Sequence, residues 1–285
     1  GRQLEYYTGM VFKIDIKSKN KVQNIINGGR YDQLISDLGS SKQVSAVGAA
    51  LNSNYWKMKN MINIGIPSKG RLRKDVLNIF KKKNLSLISE RGKRDLIGSI
   101  KNKKNIKILY LHAREIIERL ADNSLDVGFS GFDLFKESEI NIQKKINVFN
   151  RYNFGKANLV VAIPDPWIDV QTVADLEEIA FEFRDKKKKR LRVATKYPNL
   201  TREFLFSKGV TQFRLVDSLG ATEAYPFTGS AELITDISST GETLKANNLR
   251  VLKDGEILKS QACIFTSKKN LKKKGLKNLI KLLSN

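Results

Sequence analysis

Cysteine and histidine are almost missing from this chain of 285 residues, with one of each. A single cysteine excludes an internal disulfide framework and fits a reducing cytoplasm. Cys263 lies in the apolar run Ala262-Cys263-Ile264-Phe265, where a buried small hydrophobe is expected rather than a nucleophile. His112 is the only histidine and is read as having no second ligand nearby, so a strand-packing or polar-edge role is expected of it, not a metal or general-base role. No run of roughly 18 apolar residues exists, which excludes a helical membrane span. Acidic side chains are also scarce, 29 against 52 basic ones, for a net charge of +23. The lysines cluster at 81–83, 101–104, 186–189 and 272–274 without interleaved aromatics. That is unlike a single-strand nucleic-acid groove, and it suits solvated surfaces or polyanionic small substrates. The chain opens on Gly1 with no signal-peptide pattern, and reads as a piece of something longer.

What is present is an alternation of strand and helix from residue 62 onward. Strands are expected at Ile62–Pro67, Lys107–His112, Asp126–Ser130, Ala157–Ile163, Leu191–Thr195, Arg214–Val216 and Leu233–Ile237. Helices are expected at Gly70–Asn84, Arg114–Asp122, Thr172–Asp185 (with Thr172 as N-cap), Leu200–Lys208 and Leu271–Leu283. Val251–Leu252 and Ala262–Thr266 read as two strands around an Asp254-Gly255 turn. Such alternation implies an α/β fold of mostly parallel sheets, with ligands at the carboxyl ends of the strands. The expected organisation is two-lobed and periplasmic-binding-protein-like (type II). Lobe I is 62–157 plus 250–285, and lobe II is 158–249. Residues 1–57 differ: Tyr6–Ile16 alternates like a strand, Gly28-Gly29-Arg30-Tyr31-Asp32 reads as a turn before a short helix (Gln33–Leu38), and no internal repeat links them to the rest.

The most informative segment runs Glu232-Leu-Ile-Thr-Asp236-Ile-Ser-Ser-Thr-Gly-Glu-Thr-Leu244. It reads as a buried strand, a hydroxyl-rich turn and a helix start. Gly241 lets the backbone bend close to a ligand. Amides at a helix start cradle phosphate. Carboxylates just before the turn, Asp236 and Glu232, suit sugar hydroxyls. A phosphate site beside a diol site describes a phosphoribosyl group, and the same pattern also describes an ordinary N-capped helix.

Three further segments lie at strand ends. Ser68-Lys69-Gly70-Arg71 opens a helix with two cations, either for phosphate or simply solvated. Arg114 follows Ala113, and Ser130-Gly131 precede Asp133, a helix cap or a ligand contact. Lys196 in Val193-Ala-Thr-Lys-Tyr197 is positioned for phosphate, and Glu223 in Ser218-Leu-Gly-Ala-Thr-Glu223 for a base or ribose, with helix capping the alternative for Ser218 and Glu223. Trp167, after the Pro164-Asp-Pro turn, reads as packing on the hinge between the lobes.

These segments, in this order from residue 62 to about 267, resemble the "PSKGRL", "ARE-I", "D-x-G-x-(S/T)-G-x-D-L", "VATKY", "SLGATE" and "ELI-x-DI-x-STG-x-TL" motifs of the ATP phosphoribosyltransferase family. The resemblance implies an enzyme, a glycosyltransferase opening histidine biosynthesis in the cytoplasm. It would join C1′ of phosphoribosyl pyrophosphate (PRPP) to N1 of ATP and release pyrophosphate. It assigns Ser239, Thr240, Gly241, Glu242 and Thr243 to the PRPP phosphate. Asp236 and Glu232 go to the ribose or Mg²⁺. Ser68, Lys69, Gly70, Arg71, Arg114, Ser130, Gly131, Lys196 and Glu223 go to ATP or pyrophosphate. Mg²⁺ is expected to travel with the substrates, and no protein-held metal is implied.

About forty residues follow the PRPP-type loop, which matches the short form of the family, one that works with a synthetase-like regulatory subunit and forms hetero-oligomers, with histidine as a possible inhibitor. Gly1–Gly9, Gly28–Asp32 and Val47–Asn54 are similar to histidine-binding and motif-3 elements of class II histidyl-tRNA synthetases, without the ATP-binding arginine. Residues 1–57 are therefore expected to be a partial class II synthetase-like α+β segment, joined near Trp56–Met61. Neither nucleic acid nor membrane is an expected partner. A solute-binding protein of the same fold and a tRNA-binding synthetase relative are the alternatives.

Overall fold

The computed structural model describes residues 8–18, 21–37, 39, 41, 44–51, 61–89 and 96–284. Expectations placed on Gly1–Tyr7, Leu38, Asn52–Asn54 and most of the Trp56–Met61 junction lie outside the described residues. The chain forms two compact units, Gly1–Met61 and Ile62–Asn285.

The first unit is a three-stranded antiparallel sheet, β1 (Val11–Ser18), β2 (Lys21–Arg30) and β3 (Val47–Leu51), in that order. A short helix, α1 (Leu34–Asp37), follows β2. Gly28–Arg30 does not form the expected turn but extends β2, with Gly28 opposite both Phe12 and Ala49. The physical reason is space. A Cβ on Gly28 would lie 2.7 Å from the Gly48 carbonyl oxygen and against the Phe12 ring. The glycine serves close strand approach instead of a bend.

The second unit holds two mixed sheets. The seven-stranded sheet has the order β5-β6-β7-β4-β8-β15-β9 and contains β4 (Ile62–Pro67), β5 (Leu87–Ser89), β6 (Ile97–Ile100), β7 (Lys103–Leu111), β8 (Val127–Gly131), β9 (Ile146–Arg151) and β15 (Ala262–Ser267). The five-stranded sheet, β12-β11-β13-β10-β14, contains β10 (Ala157–Pro164), β11 (Leu191–Thr195), β12 (Phe213–Asp217), β13 (Leu233–Ser238) and β14 (Leu249–Ser260). The central pairs β4–β7, β4–β8, β11–β12 and β11–β13 are parallel. Helices cover the faces: α2 (Gly70–Lys82), α3 (Ala113–Ala121), α4 (Phe132–Glu137), α5 (Ile140–Gln143), α6 (Asp175–Lys187), α7 (Pro198–Ser207), α8 (Glu242–Ala246) and α9 (Leu276–Ser284). This is the two-lobed, periplasmic-binding-protein-like organisation.

Core packing follows the expected apolar stripes. Val76 and Phe80 of α2, with Leu276, Leu279, Ile280 and Leu283 of α9, bury one face of the larger sheet. Ile116, Ile117 and Leu120 of α3 bury the other with Phe135, Cys263 and Phe265. Full burial of each such side chain contributes about 1.5–3 kcal/mol. Helix α3 approaches its sheet so closely that a Cβ on Gly65 would lie 2.7 Å from Leu125 and 3.2 Å from Ile116. Cys263 is fully buried, and burial pushes its thiol up to about 12. Trp167 packs against the core of the smaller sheet.

Three local expectations give way. Asp254-Gly255 is not a turn. Strand β14 runs through it, and its pairing with β10 slips on either side of Val160. The bulge turns Asp254 outward, where it accepts from the Val173 amide at 2.7 Å and from Lys208 Nζ at 3.0 Å. The chain therefore stays in the smaller sheet until Ser260 and returns to the larger one at β15, later than expected. Thr172 does not cap α6. Asp175 Oδ2 accepts from the Gln171 and Thr172 amides, at 2.8 and 2.7 Å. Strands β5 (Leu-Ile-Ser) and β6 (Ile-Gly-Ser-Ile) were not legible, because three or four residues are too few to show a period, and β9 (Ile146–Arg151) was missed as well.

Candidate active site

Adjacent parallel strands β12, β11 and β13 end side by side, and their following turns carry most of the expected residues of the second lobe. After β13, Ser238 Oγ accepts from the Gly241 amide at 3.0 Å. Gly241 takes φ +78°, a left-handed conformation that turns the backbone into α8. Ser239, Thr240, Glu242 and Thr243 are exposed around it. Among the described residues the Thr243 amide, in the first turn of α8, and the Thr240 amide, ahead of its N-cap, have no partner within the protein, while the Glu242 amide reaches Thr240 Oγ1 at 3.4 Å.

Asp236 is half-buried at the foot of this turn, and its Oδ1 accepts from the Ile237 amide at 2.8 Å. Burial pushes its carboxyl above the usual range. The Ile237 amide, the Lys196 ammonium and the Thr222 hydroxyl oppose the rise, while Glu223 adds to it. Lys196, Thr222, Glu223 and Asp236 are thus brought into one electrostatic neighbourhood from the ends of β11, β12 and β13. Thr222 was not expected here. It shares a 2.9 Å hydroxyl contact with Ser218. Below them, the buried hydroxyls of Thr195, Thr201 and Thr235 form a closed set at 2.6–3.1 Å that ties β11, α7 and β13 together.

The larger sheet supplies Arg114, Ser68–Arg71, Ser130 and Gly131. Arg114 Nη2 donates to the Lys196 carbonyl at 2.8 Å and so joins the cluster. His112 caps α3, accepting from the Arg114 amide through Nδ1 at 3.4 Å, which gives the lone histidine a structural task that was not foreseen. Ser68, Lys69, Gly70 and Arg71 form the entry to α2. Lys69 and Arg71 are exposed, no side chain caps the helix, and Gly70 has φ +84°. Ser130 is buried and donates to the Ala113 carbonyl at 2.8 Å, so its hydroxyl serves the α3–β8 junction. Gly131 occupies the N-cap of α4.

Two carboxylates are placed otherwise than expected. Glu232 precedes β13 and pairs with Arg192, 2.6 Å from Nη2, also accepting from the Arg192 amide at 2.7 Å. Ser238 lies six positions further along the strand, about 20 Å at roughly 3.3 Å per residue. It lies at the far end of the sheet from the loop. Asp133 neither caps α4 nor stays free for a ligand. Its oxygens accept from the Tyr197 phenol at 2.9 Å and Ser260 Oγ at 2.5 Å. Burial and the nearby Asp133 and Asp236 push the Tyr197 phenol well above its ordinary value.

Residues 112–285 match the family model described as ATP phosphoribosyltransferase, and residues 1–54 match that of histidyl-tRNA synthetase. An ATP phosphoribosyltransferase of Nitrobacter winogradskyi is 46% identical over 211 residues, which cover 74% of this chain and 65% of that protein. One of Mesorhizobium japonicum is 42% identical over 210 residues, 73% of this chain and 90% of that protein. The chain thus spans slightly less than two thirds of the Nitrobacter relative. In structure, it resembles the ATP phosphoribosyl transferase (HisG:HisZ) complex from Thermotoga maritima, with a TM-score of 0.61 and 24% identity, over 78% of this chain and 96% of that one. That likeness bears on the fold alone. On the family model, the relatives and the fold together, this chain belongs to the ATP phosphoribosyltransferase family.

Proposed function

We propose that this chain transfers the 5-phosphoribosyl group of PRPP to N1 of ATP, releasing pyrophosphate and forming phosphoribosyl-ATP. The observation that carries the reading is that Asp236, on the strand that runs into the Ser239–Thr243 turn, interacts with Lys196, Thr222 and Glu223 from the neighbouring strand ends. The turn binds the 5′-phosphate through backbone N–H groups and hydroxyls. Asp236 accepts hydrogen bonds from the ribose hydroxyls. Lys196, Arg114, Lys69 and Arg71 supply positive charge for pyrophosphate and ATP, with Ser68, Gly70, Gly131 and Glu223 as further contacts. The adenine N1 lone pair forms the bond to C1′ while the C1′–oxygen bond breaks, and its electron pair leaves on pyrophosphate. Holding both substrates in place contributes up to about 7–11 kcal/mol.

Among the described residues, no three His, Cys, Asp or Glu side chains gather to hold a metal, and the turn brings two carboxylates, the half-buried Asp236 before it and the exposed Glu242 within it. That donor set fits Mg²⁺ carried on the diphosphate oxygens, where it would neutralise charge on the leaving group. We further assign the protein to the cytoplasm, with a synthetase-like regulatory subunit as partner and histidine as inhibitor. No helix among the described residues is long and apolar enough to cross a membrane. Incubation with ATP, PRPP and Mg²⁺ should produce the absorbance of the N1 adduct. Its absence, with neither substrate bound, overturns the proposal.

A further inference from the structure

Helix α7 begins at Pro198, which has no N–H, and its N-cap Tyr197 makes no side-chain capping bond. The next two amides are orphans by helix geometry. Both are satisfied from the other lobe. Glu137, the last residue of α4, accepts from the Asn199 amide through Oε1 at 2.9 Å and from the Leu200 amide through Oε2 at 3.0 Å. Its backbone carbonyl accepts from Asn199 Nδ2 at 2.9 Å. The side chain is buried, 4% exposed.

This grip is connected to the reacting cluster on two sides. Immediately before α7, Lys196 faces Asp236 electrostatically and is held through its carbonyl by Arg114. Immediately after the gripped amides, Thr201 meets the hydroxyls of Thr235 and Thr195, the neighbours of Asp236 and Lys196. A shift of the α7 entry would therefore move both groups relative to the substrates.

We propose that Glu137 is a positioning residue for the transfer: its carboxylate clamps the entry of α7 to the first lobe and thereby sets the placement of Lys196 and Asp236. The inference rests on the transferase reading. Burial pushes the Glu137 carboxyl above its usual range. The two amides, Arg114 and Arg202 oppose the rise, and Glu118 and Glu139 line the same pocket. The rise means that ionising Glu137 costs stability relative to the unfolded chain, a cost that the two amide bonds offset in part.

Steady-state kinetics and thermal melting of Glu137→Gln and Glu137→Ala, with hydrogen exchange at Asn199 and Leu200, test the proposal. The expected result for Glu137→Gln is a melting temperature within a few degrees of the parent and faster exchange at both amides. Its kcat should fall about 10-fold, less than the roughly 100-fold that a full ångström of misplacement can cost, since glutamine keeps one acceptor oxygen. Glu137→Ala should lose more, and if it does not fold, Glu137→Gln decides. Unchanged kcat and KM in a folded Glu137→Gln overturn the clamp and leave the transferase intact. So does a rate loss fully explained by a lower folded fraction. A parent protein with no activity overturns the transferase reading and this role with it.

Discussion

Two helix entries on neighbouring strands of the smaller sheet, β11 into α7 and β13 into α8, have opposite fates. Each presents backbone amides that a helix cannot satisfy itself. At α7 the amides are filled by Glu137 from across the molecule. At α8 the left-handed Gly241 leaves the Thr240 and Thr243 amides open, beside hydroxyls and Asp236. Strand–helix turns at strand carboxyl ends are chemically alike, and what separates a structural joint from a candidate phosphate cradle is whether another carboxylate already occupies it. A filled entry repels phosphate, and an open one attracts it.

The comparison can be broken by converting one entry into the other. Ser239→Asp would place a carboxylate at the open turn. Like charges about 4 Å apart cost about 4 kcal/mol near a protein surface, so PRPP affinity measured by calorimetry should fall roughly a thousandfold. Asp236→Asn should reduce kcat/KM about 100-fold, on the order of losing one preorganised group at a reacting centre, with fold retained by circular dichroism. Thr240→Val removes one hydroxyl from the turn. A charge-assisted hydrogen bond contributes about 1.5–3 kcal/mol, so PRPP affinity should drop about 10-fold or more, and an unchanged affinity would remove the turn from the site. Gly241→Ala forces an alanine into φ +78°. The strain is about 1–2 kcal/mol, visible as a lower denaturation midpoint and weaker PRPP binding. The smallest effect is expected at the far end of the same strand. Glu232→Gln loosens the Arg192 pair, costing about 1 kcal/mol or less for a partly exposed pair, with kcat and KM unchanged. A large kinetic effect there would return Glu232 to the site.

The alternation that defines two lobes was readable because apolar periodicity reports burial directly. Ile62, Ile64 and Ile66 on β4 and Leu276, Leu279, Ile280 and Leu283 on α9 did become core. The strand, turn and helix around Ser239–Thr243 were readable because an apolar run followed by hydroxyls and a glycine is a local signal. Other features failed for identifiable reasons. Asp254-Gly255 carries turn chemistry, yet strand partners on β10 absorb it as a bulge. Gly28-Gly29 carries the same chemistry and is used for close packing in a sheet. Glu137 carried no signal, because the amides it serves are 62 and 63 residues further along the chain.

By itself the sequence determined the order of most strands and helices, the apolar faces that make the cores, and the hydroxyl-rich composition of the loop after β13, since each depends on neighbours a few residues away. Only tertiary structure decided which carboxylates are free. Glu232 is taken up by Arg192, Asp133 by Tyr197 and Ser260, and Glu137 by α7, while Asp236 remains beside the open turn. A carboxylate's availability depends on which donors folding brings within about 3 Å, and chain order does not encode those distances locally.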